Sequence, residues 1–212
     1  MEILIALFLI ILIGLWLRSP ADKGRRGERR VGRTIARGLD PDEYVVFDDL
    51  VLETPDGTTQ IDHVIVSPFG VFVIETKNYS GWIFGDLKSR TWTQVLYRKK
   101  SRFQNPLHQN FKHVKAVETL LSLNEGAIHS VVAFVGKAEF KTDLPWNVVS
   151  LKELVPYIRS KNQRILGDQQ VEDIAEKLSS HKAVQGSTSS RPTKSLGPNQ
   201  EPICPRCGNP MV

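Results

Sequence analysis

Thr59-Gln60-Ile61-Asp62-His63-Val64-Ile65-Val66-Ser67-Pro68-Phe69-Gly70-Val71-Phe72-Val73-Ile74-Glu75-Thr76-Lys77 is the stretch on which the reading of this chain turns. Val, Ile and Phe dominate both halves, and Ser67-Pro68-Phe69-Gly70 between them is turn chemistry, so the stretch reads as a β-hairpin. Both faces of each strand are largely apolar, which points to the centre of a sheet. Two carboxylates and a lysine inside such strands need a reason, because an unpaired charge is costly to bury.

Side chains alternate with period two, so Gln60, Asp62, Val64 and Val66 share one face of the first strand, and Val71, Val73, Glu75 and Lys77 share one face of the second. A turn symmetric about Pro68-Phe69 sets Asp62 opposite Glu75 and Gln60 opposite Lys77. Facing carboxylates, with Cβ atoms roughly 5 Å apart, repel in a low-dielectric site unless one is protonated or a cation lies between them. A divalent ion is the simplest answer, and hard oxygen ligands with room for water suit Mg²⁺ or Mn²⁺. Lys77 beside them can orient an attacking water or neutralise charge developing on a phosphate. Everything here depends on register: a bulge at Gly70 shifts the pairing by one residue and takes Asp62 off the face of Glu75.

An Asp, a strand's length of residues and then Glu-x-Lys resembles the PD-(D/E)xK nuclease superfamily, on a motif short enough to arise by chance. The surroundings are more specific. Gly24-Arg25-Arg26-Gly27-Glu28, Thr59 to Val64, Gly70 to Gly81, Trp92-Thr93-Gln94 and Asn105-Pro106-Leu107-His108-Gln109 resemble, in that order, the nuclease-related domain (NERD) family, from about Gly24 to the region of Phe134. The resemblance implies an α/β, restriction-endonuclease-like core, a central mixed β-sheet flanked by helices, and metal-dependent cleavage of nucleic acid; DNA is the preferred substrate, and RNA processing is a further alternative. Carried over position by position, the catalytic set is Glu28, Asp62, Glu75, Lys77 and Gln94. Asp62, Glu75 and Glu28 are the expected Mg²⁺ or Mn²⁺ ligands, and Gln60 and Gln109 are accessory polar groups. Glu28 falls in an expected helix from Asp22 to Arg37, ended by Gly38. It precedes Val31 by three residues and Ile35 by seven, which sets it on the inward face.

The 212 residues, 41% hydrophobic and 24% charged, suffice for one ordinary core with appendages. A net charge of +5 would hint at nucleic acid. The basic residues from Arg18 to Arg33, set against Asp22 and Glu28, account for that whole excess, and they have another explanation. Ile3 to Leu17 is an unbroken apolar run ended by Arg18-Ser19-Pro20, with no polar stripe on any helical face. Residues 1–20 are therefore expected to form a transmembrane helix, slightly short of the ~20 apolar residues that span a bilayer comfortably. No basic segment precedes the run and no small-x-small cleavage site follows it, which disfavours a removed signal peptide. The arginines at its exit put the C-terminal domain in the cytoplasm, anchored by a single pass to the inner membrane of a bacterium.

Residues 22–140 are expected to hold the nuclease-like domain and 141–183 a helical extension of its core, with helices near Leu151 to Arg159 and Asp168 to His181. Trp82 to Phe84, Trp92 to Tyr97 and Ile128 to Phe134 read as further strands. Asn105 caps a helix with Pro106 in its first turn. Leu107, Phe111, Val114, Val117 or Glu118, and Leu121 are its expected core stripe. His108, Gln109, Lys112, His113 and Lys115 then form the other face, which together with Arg98 to Arg102 is either a phosphate-tracking surface or a solvated basic one. His63 points away from Asp62 and reads as structural.

Residues 184–202 have the Gly, Ser, Thr, Pro and Gln composition of a linker. Residues 203–212 carry Cys204-Pro205-Arg206-Cys207, which resembles the first half of the four-cysteine zinc ribbon at the end of bacterial topoisomerases. Two thiolates do not fill a tetrahedral zinc site. Either two chains share one zinc through Cys204 and Cys207, or the ribbon is truncated and inert, and the reading prefers the second. From a different class of function, the alternative to a nuclease is an inactive nucleic-acid-binding scaffold tethered to the membrane.

Overall fold

The computed structural model describes residues 20–55 and 57–188. The expected membrane helix, nearly all of the linker and the Cys204/Cys207 motif lie outside them. Among the described residues no helix is long and apolar enough to cross a membrane.

The fold is mixed α/β, with two sheets and helices against them. Helix α1 (Pro20–Gly38) leads into β1 (Val45–Thr54), β2 (Gly57–Ser67) and β3 (Gly70–Lys77), an antiparallel meander. Strands β4 (Gly81–Phe84), β5 (Thr91–Leu96) and β6 (Lys99–Gln104) follow, then α2 (Pro106–Leu121), β7 (Ile128–Phe134), β8 (Ala138–Phe140), β9 (Val148–Ser150), α3 (Leu151–Arg159) and α4 (Asp168–Thr188). The larger sheet is ordered β1-β2-β3-β7-β9, with β7 parallel to both neighbours, and the smaller is ordered β6-β5-β4-β8.

Alternation along β2 and β3 builds a core on each face of the larger sheet. Ile65, Phe72 and Ile74 pack with Val31 and Ile35 of α1 and with Leu154 and Ile158 of α3. Val64, Val66, Val71 and Val73 pack with Val114 and Val117 of α2 and with Ile174 and Leu178 of α4. A third cluster, Ile83, Trp92, Val132 and Phe134, joins the two sheets. Burial on both sides is why these strands lack a polar face.

The hairpin has the symmetric register: Ser67 pairs with Gly70, Val66 with Val71 and His63 with Ile74. Ser67 Oγ donates to Gly70 O at 3.0 Å and accepts from Phe69 N–H at 3.2 Å, and Gly70 takes the positive φ of 117° that closes the turn. No bulge displaces the ladder, but it ends at His63–Ile74. On the other side, β1 and β2 skip the pair Asp49–Asp62, with Asp49 at φ 61°. Asp62 itself is thus unpaired on both sides, while Ile61 pairs again with Leu50 of β1.

Two anchors position the helices. Asn105 Oδ1 accepts from Leu107 N–H at 2.9 Å, capping α2, while its amide donates to Asp86 O and Ser89 O at 3.1 and 2.8 Å. The Asn110 amide donates to Val73 O and Val131 O at 3.0 and 3.1 Å, fixing α2 over the β3–β7 seam. Helix α1 lies close to the end of β3: a Cβ added at Gly27 would stand 2.9 Å from Asn78 Cβ, and Asn78 Nδ2 donates to Lys23 O at 2.7 Å.

The expected stripe on α2 is kept at Val114, Val117 and Leu121 and fails at Phe111. Phe111 is 56% exposed, whereas His113, expected on the polar face, is 3% exposed. The buried set is Pro106, Asn110, His113, Val114, Ala116, Val117 and Leu121. Polar residues lie on that face because the site supplies their partners. Strands β1, β6, β8 and β9, absent from the sequence reading, complete the sheets, and α4 continues through Thr188.

Candidate active site

Glu75 leaves β3 at the edge of a cleft of about 930 Å³, whose walls include Glu28, Asp62, Lys77, Gln94 and Gln109. Its carboxylate is held at both oxygens. Lys77 Nζ donates to Oε1 at 2.6 Å, and His113 Nε2 lies 3.0 Å from Oε2. An ionised carboxylate only accepts, so Nε2 carries the proton. His113 Nδ1 lies 2.8 Å from Thr59 Oγ1, and Lys77 Nζ also donates to Gln109 Oε1 at 2.9 Å. The result is a connected network from β2 through α2 to β3.

Asp62 lies where the β2–β3 ladder has ended and the β1–β2 ladder skips one pair. Its Oδ2 accepts the Thr76 N–H at 2.6 Å, so a side chain takes a strand backbone donor. Burial first and the Glu75 charge second push its pKa from the ordinary 3.8 up to about 7. Glu28, half-buried on α1, is raised as well, chiefly by burial, then by Asp49 and by Glu75 beyond His63. Negative charge is thus crowded where a cation would be stabilised. Among the described residues, however, no three His, Cys, Asp or Glu converge on one metal point. Glu28 lines the cleft wall without closing on the other two carboxylates.

Three concavities, of about 890, 930 and 470 Å³, all reach Glu28 and Asp62. The site therefore opens along a path rather than as a closed pocket.

Gln94 is buried, donating to Ser80 O at 2.7 Å and accepting from Ser101 Oγ at 3.2 Å, so it ties the smaller sheet to the cleft wall. Gln109 reaches Lys77 directly. Gln60 does not: the β2–β3 ladder has ended before it, Lys77 pairs with Phe134 of β7, and Gln60 pairs with Val51 and donates to Asp49 Oδ1. The expected Gln60–Lys77 pairing is therefore corrected by strand divergence. His63 is on the opposite face, 2.6 Å from Asp48 Oδ1 through Nδ1, and this contact holds the Asp48 carboxyl below its usual range.

His113 and Thr59 were the residues sequence reading missed. Gln109 and His113 are one helical turn apart, so placing Gln109 in the site brings His113 there too. That spacing was the available signal.

The nuclease-related domain family matches residues 23–135, a span that holds all of the cleft residues named above. An uncharacterized protein of Bacillus anthracis is 45% identical over 148 residues, 66% of this chain and 69% of the relative. A solved structure of a protein of unknown function covers 76% of this chain and 99% of its own, at 12% identity and a TM-score of 0.32, too distant to support an inference. The chain belongs to the nuclease-related domain family.

Proposed function

We propose that this protein is a Mg²⁺- or Mn²⁺-dependent nuclease with a restriction-endonuclease-like core, hydrolysing phosphodiester bonds in DNA. The observation that carries the reading is the Asp62/Glu75/Lys77 cluster. Two carboxylates, one with its pKa raised by burial and then by the charge of the other, stand at a cleft where strands separate, beside a lysine fixed by two acceptors.

Asp62 and Glu75 would hold the ion, with Glu28 on the wall, and the charge excess at Asp62 is what a cation would relieve. Once bound, such an ion polarises phosphate and lowers the pKa of water. Lys77 directs two of its three N–H groups at Glu75 and Gln109, leaving one for a phosphate oxygen or the attacking water. His113 holds Glu75 through Nε2, and Thr59 Oγ1 meets its other ring nitrogen and orients the ring. Gln94 keeps the hairpin of the smaller sheet at the rim.

The apolar run from Ile3 to Leu17 and its arginine-rich exit support a single-pass anchor in the inner membrane with the nuclease domain in the cytoplasm. Resistance of the full chain to alkaline carbonate extraction, and activity of a cytoplasm-only reporter fused after Val212, test that part. The catalytic reading is tested by incubating the purified chain with plasmid, linear and single-stranded DNA and with RNA, in Mg²⁺, Mn²⁺ or EDTA. Cleavage that needs the metal and disappears in Glu75→Gln is expected. Cleavage that persists in that variant, or none on any substrate, overturns it.

A further inference from the structure

The smaller sheet has one buried face and one open face. On β4, Ile83 is fully buried while its neighbours Trp82 and Phe84 are 50% and 37% exposed. Cross-strand pairing extends the open face sideways: Trp82 lies opposite Val95, which pairs with Lys100, and Phe84 lies opposite Thr93, which pairs with Arg102. Lys100 and Arg102 are exposed. Two aromatic rings on a middle strand are thus flanked by two cations on an edge strand. A soluble domain that leaves a tryptophan and a phenylalanine side by side on an open sheet face leaves a surface suited to a ligand.

We infer that this face is a stacking platform for unpaired nucleotides of the strand delivered to the cleft, an inference that rests on the nucleic-acid reading above. Trp82 and Phe84 are two residues apart on one strand, roughly 6.7 Å by the rise of a β-strand, a spacing that lets consecutive splayed bases each stack on a ring. Lys100 and Arg102 meet the backbone running beside those bases. The one acidic side chain in the row, Glu139 opposite Trp82, is neutralised by Lys141 at 3.0 Å. Lys141 Nζ lies 5.0 Å from the Trp82 ring centre, on a side chain long enough to turn toward a phosphate.

The platform is continuous with the cleft. A concavity of about 690 Å³ runs from Trp82 and Val95 to Leu96 and Tyr97, and both of the latter also line the cleft that holds Lys77. Tyr97, 95% exposed, occupies the tip of the β5–β6 turn at φ 54°, a conformation uncommon for a tyrosine, and Arg98 and Lys99 follow it into the cleft wall. A strand stacked on Trp82 and Phe84 passes Tyr97 before it reaches Asp62. The positive charge around the aromatics selects a nucleic acid over an apolar protein helix as occupant, and exposed aromatic faces select bases over the outside of a duplex.

The test is fluorescence anisotropy of a labelled single-stranded oligonucleotide of about twelve nucleotides, the scale of a single-strand site, against a duplex of the same length. The full chain is used in EDTA, alongside Trp82→Ala, Phe84→Ala and Trp82→Phe. Single-strand affinity is expected to fall roughly 10-fold in each alanine variant, with duplex affinity changed less than about twofold and Trp82→Phe close to wild type. Equal losses on both substrates, or unchanged single-strand affinity in a chain that still cleaves duplex DNA, overturn the platform while leaving the nuclease reading intact. Loss of binding to anionic phospholipid vesicles in Trp82→Ala, with oligonucleotide binding unaffected, assigns the face to a membrane surface and likewise overturns it. A wild-type chain that binds no oligonucleotide and cleaves none overturns both.

Discussion

His113 Nε2 stands 3.0 Å from Glu75 Oε2, and both side chains are only 4% exposed. A buried carboxylate is tolerable only when its lone pairs are satisfied, and here one oxygen depends on a helix and the other on Lys77. His113→Ala therefore strips a partner from a buried charge rather than trimming a surface. A stability loss of ~1–3 kcal/mol is expected, the cost of an unmet polar group, together with weakened cleavage. His113→Gln, which can still donate, should recover part of each. Urea denaturation and single-turnover cleavage measure the two; a neutral His113→Ala removes the histidine from the site.

Asp62 gives a pH dependence with a definite sign. Its folded pKa is raised, from 3.8 to about 7, so the metal-free native state holds a proton the unfolded chain has released. Stability from this group is full below pH 4 and is lost as pH rises through 7. At about 1.4 kcal/mol per pH unit the loss has a ceiling of ~4 kcal/mol, reduced by relaxation and water penetration. Asp62→Asn keeps an acceptor for Thr76 N–H but cannot ionise. In EDTA at pH 8 it should melt higher than wild type, the gap closing near pH 4, and it should not cleave. Wild type and variant with parallel melting profiles across this range would contradict the repulsion assigned to Asp62.

The hairpin was legible because its turn is symmetric and its strands are apolar on both faces, and its register runs as far as His63–Ile74, one residue short of the expected Asp62–Glu75 pair. The departure at Asp62 was not legible, since it depends on Thr76 N–H preferring a side chain to the ladder. Strand β1 was hidden by Asp48-Asp49, which break its apolar pattern; Asp48 meets His63 and Asp49 meets Gln60. The polar part of the buried face of α2 was hidden for the same reason. Asn110 and His113 look like surface residues until Val73 O and Glu75 supply their partners. Polar residues recruited inward by the site defeat a reading in which hydrophobicity marks the core.

Lys77 separates chemistry from binding. With one N–H free for the phosphate, Lys77→Met should lower turnover by roughly 10² or more, as when a group aimed at developing charge is removed, with substrate affinity changed less. Burst and single-turnover kinetics with Mg²⁺ distinguish the two effects. Equal losses in affinity and turnover would make Lys77 a ground-state phosphate contact.

Two glycines of α1 should respond oppositely to the same change. Alanine in a helix interior is favoured over glycine by up to ~1 kcal/mol. At Gly24 the nearest atom to an added Cβ is Glu28 Oε1 at 3.6 Å, ordinary contact, so Gly24→Ala should stabilise the protein slightly. At Gly27 the same Cβ meets Asn78 Cβ at 2.9 Å, and Asn78 is tethered to Lys23 O and follows Lys77 directly. Gly27→Ala must push α1 outward or displace the end of β3. It should lower the melting temperature despite its better helix propensity, and it should weaken cleavage because Glu28 moves with α1 and Lys77 with β3. Thermal melts of both variants, with cleavage rates measured well below each transition, decide the matter. A Gly27→Ala variant as stable and active as Gly24→Ala would show that α1 does not set the geometry of the cleft.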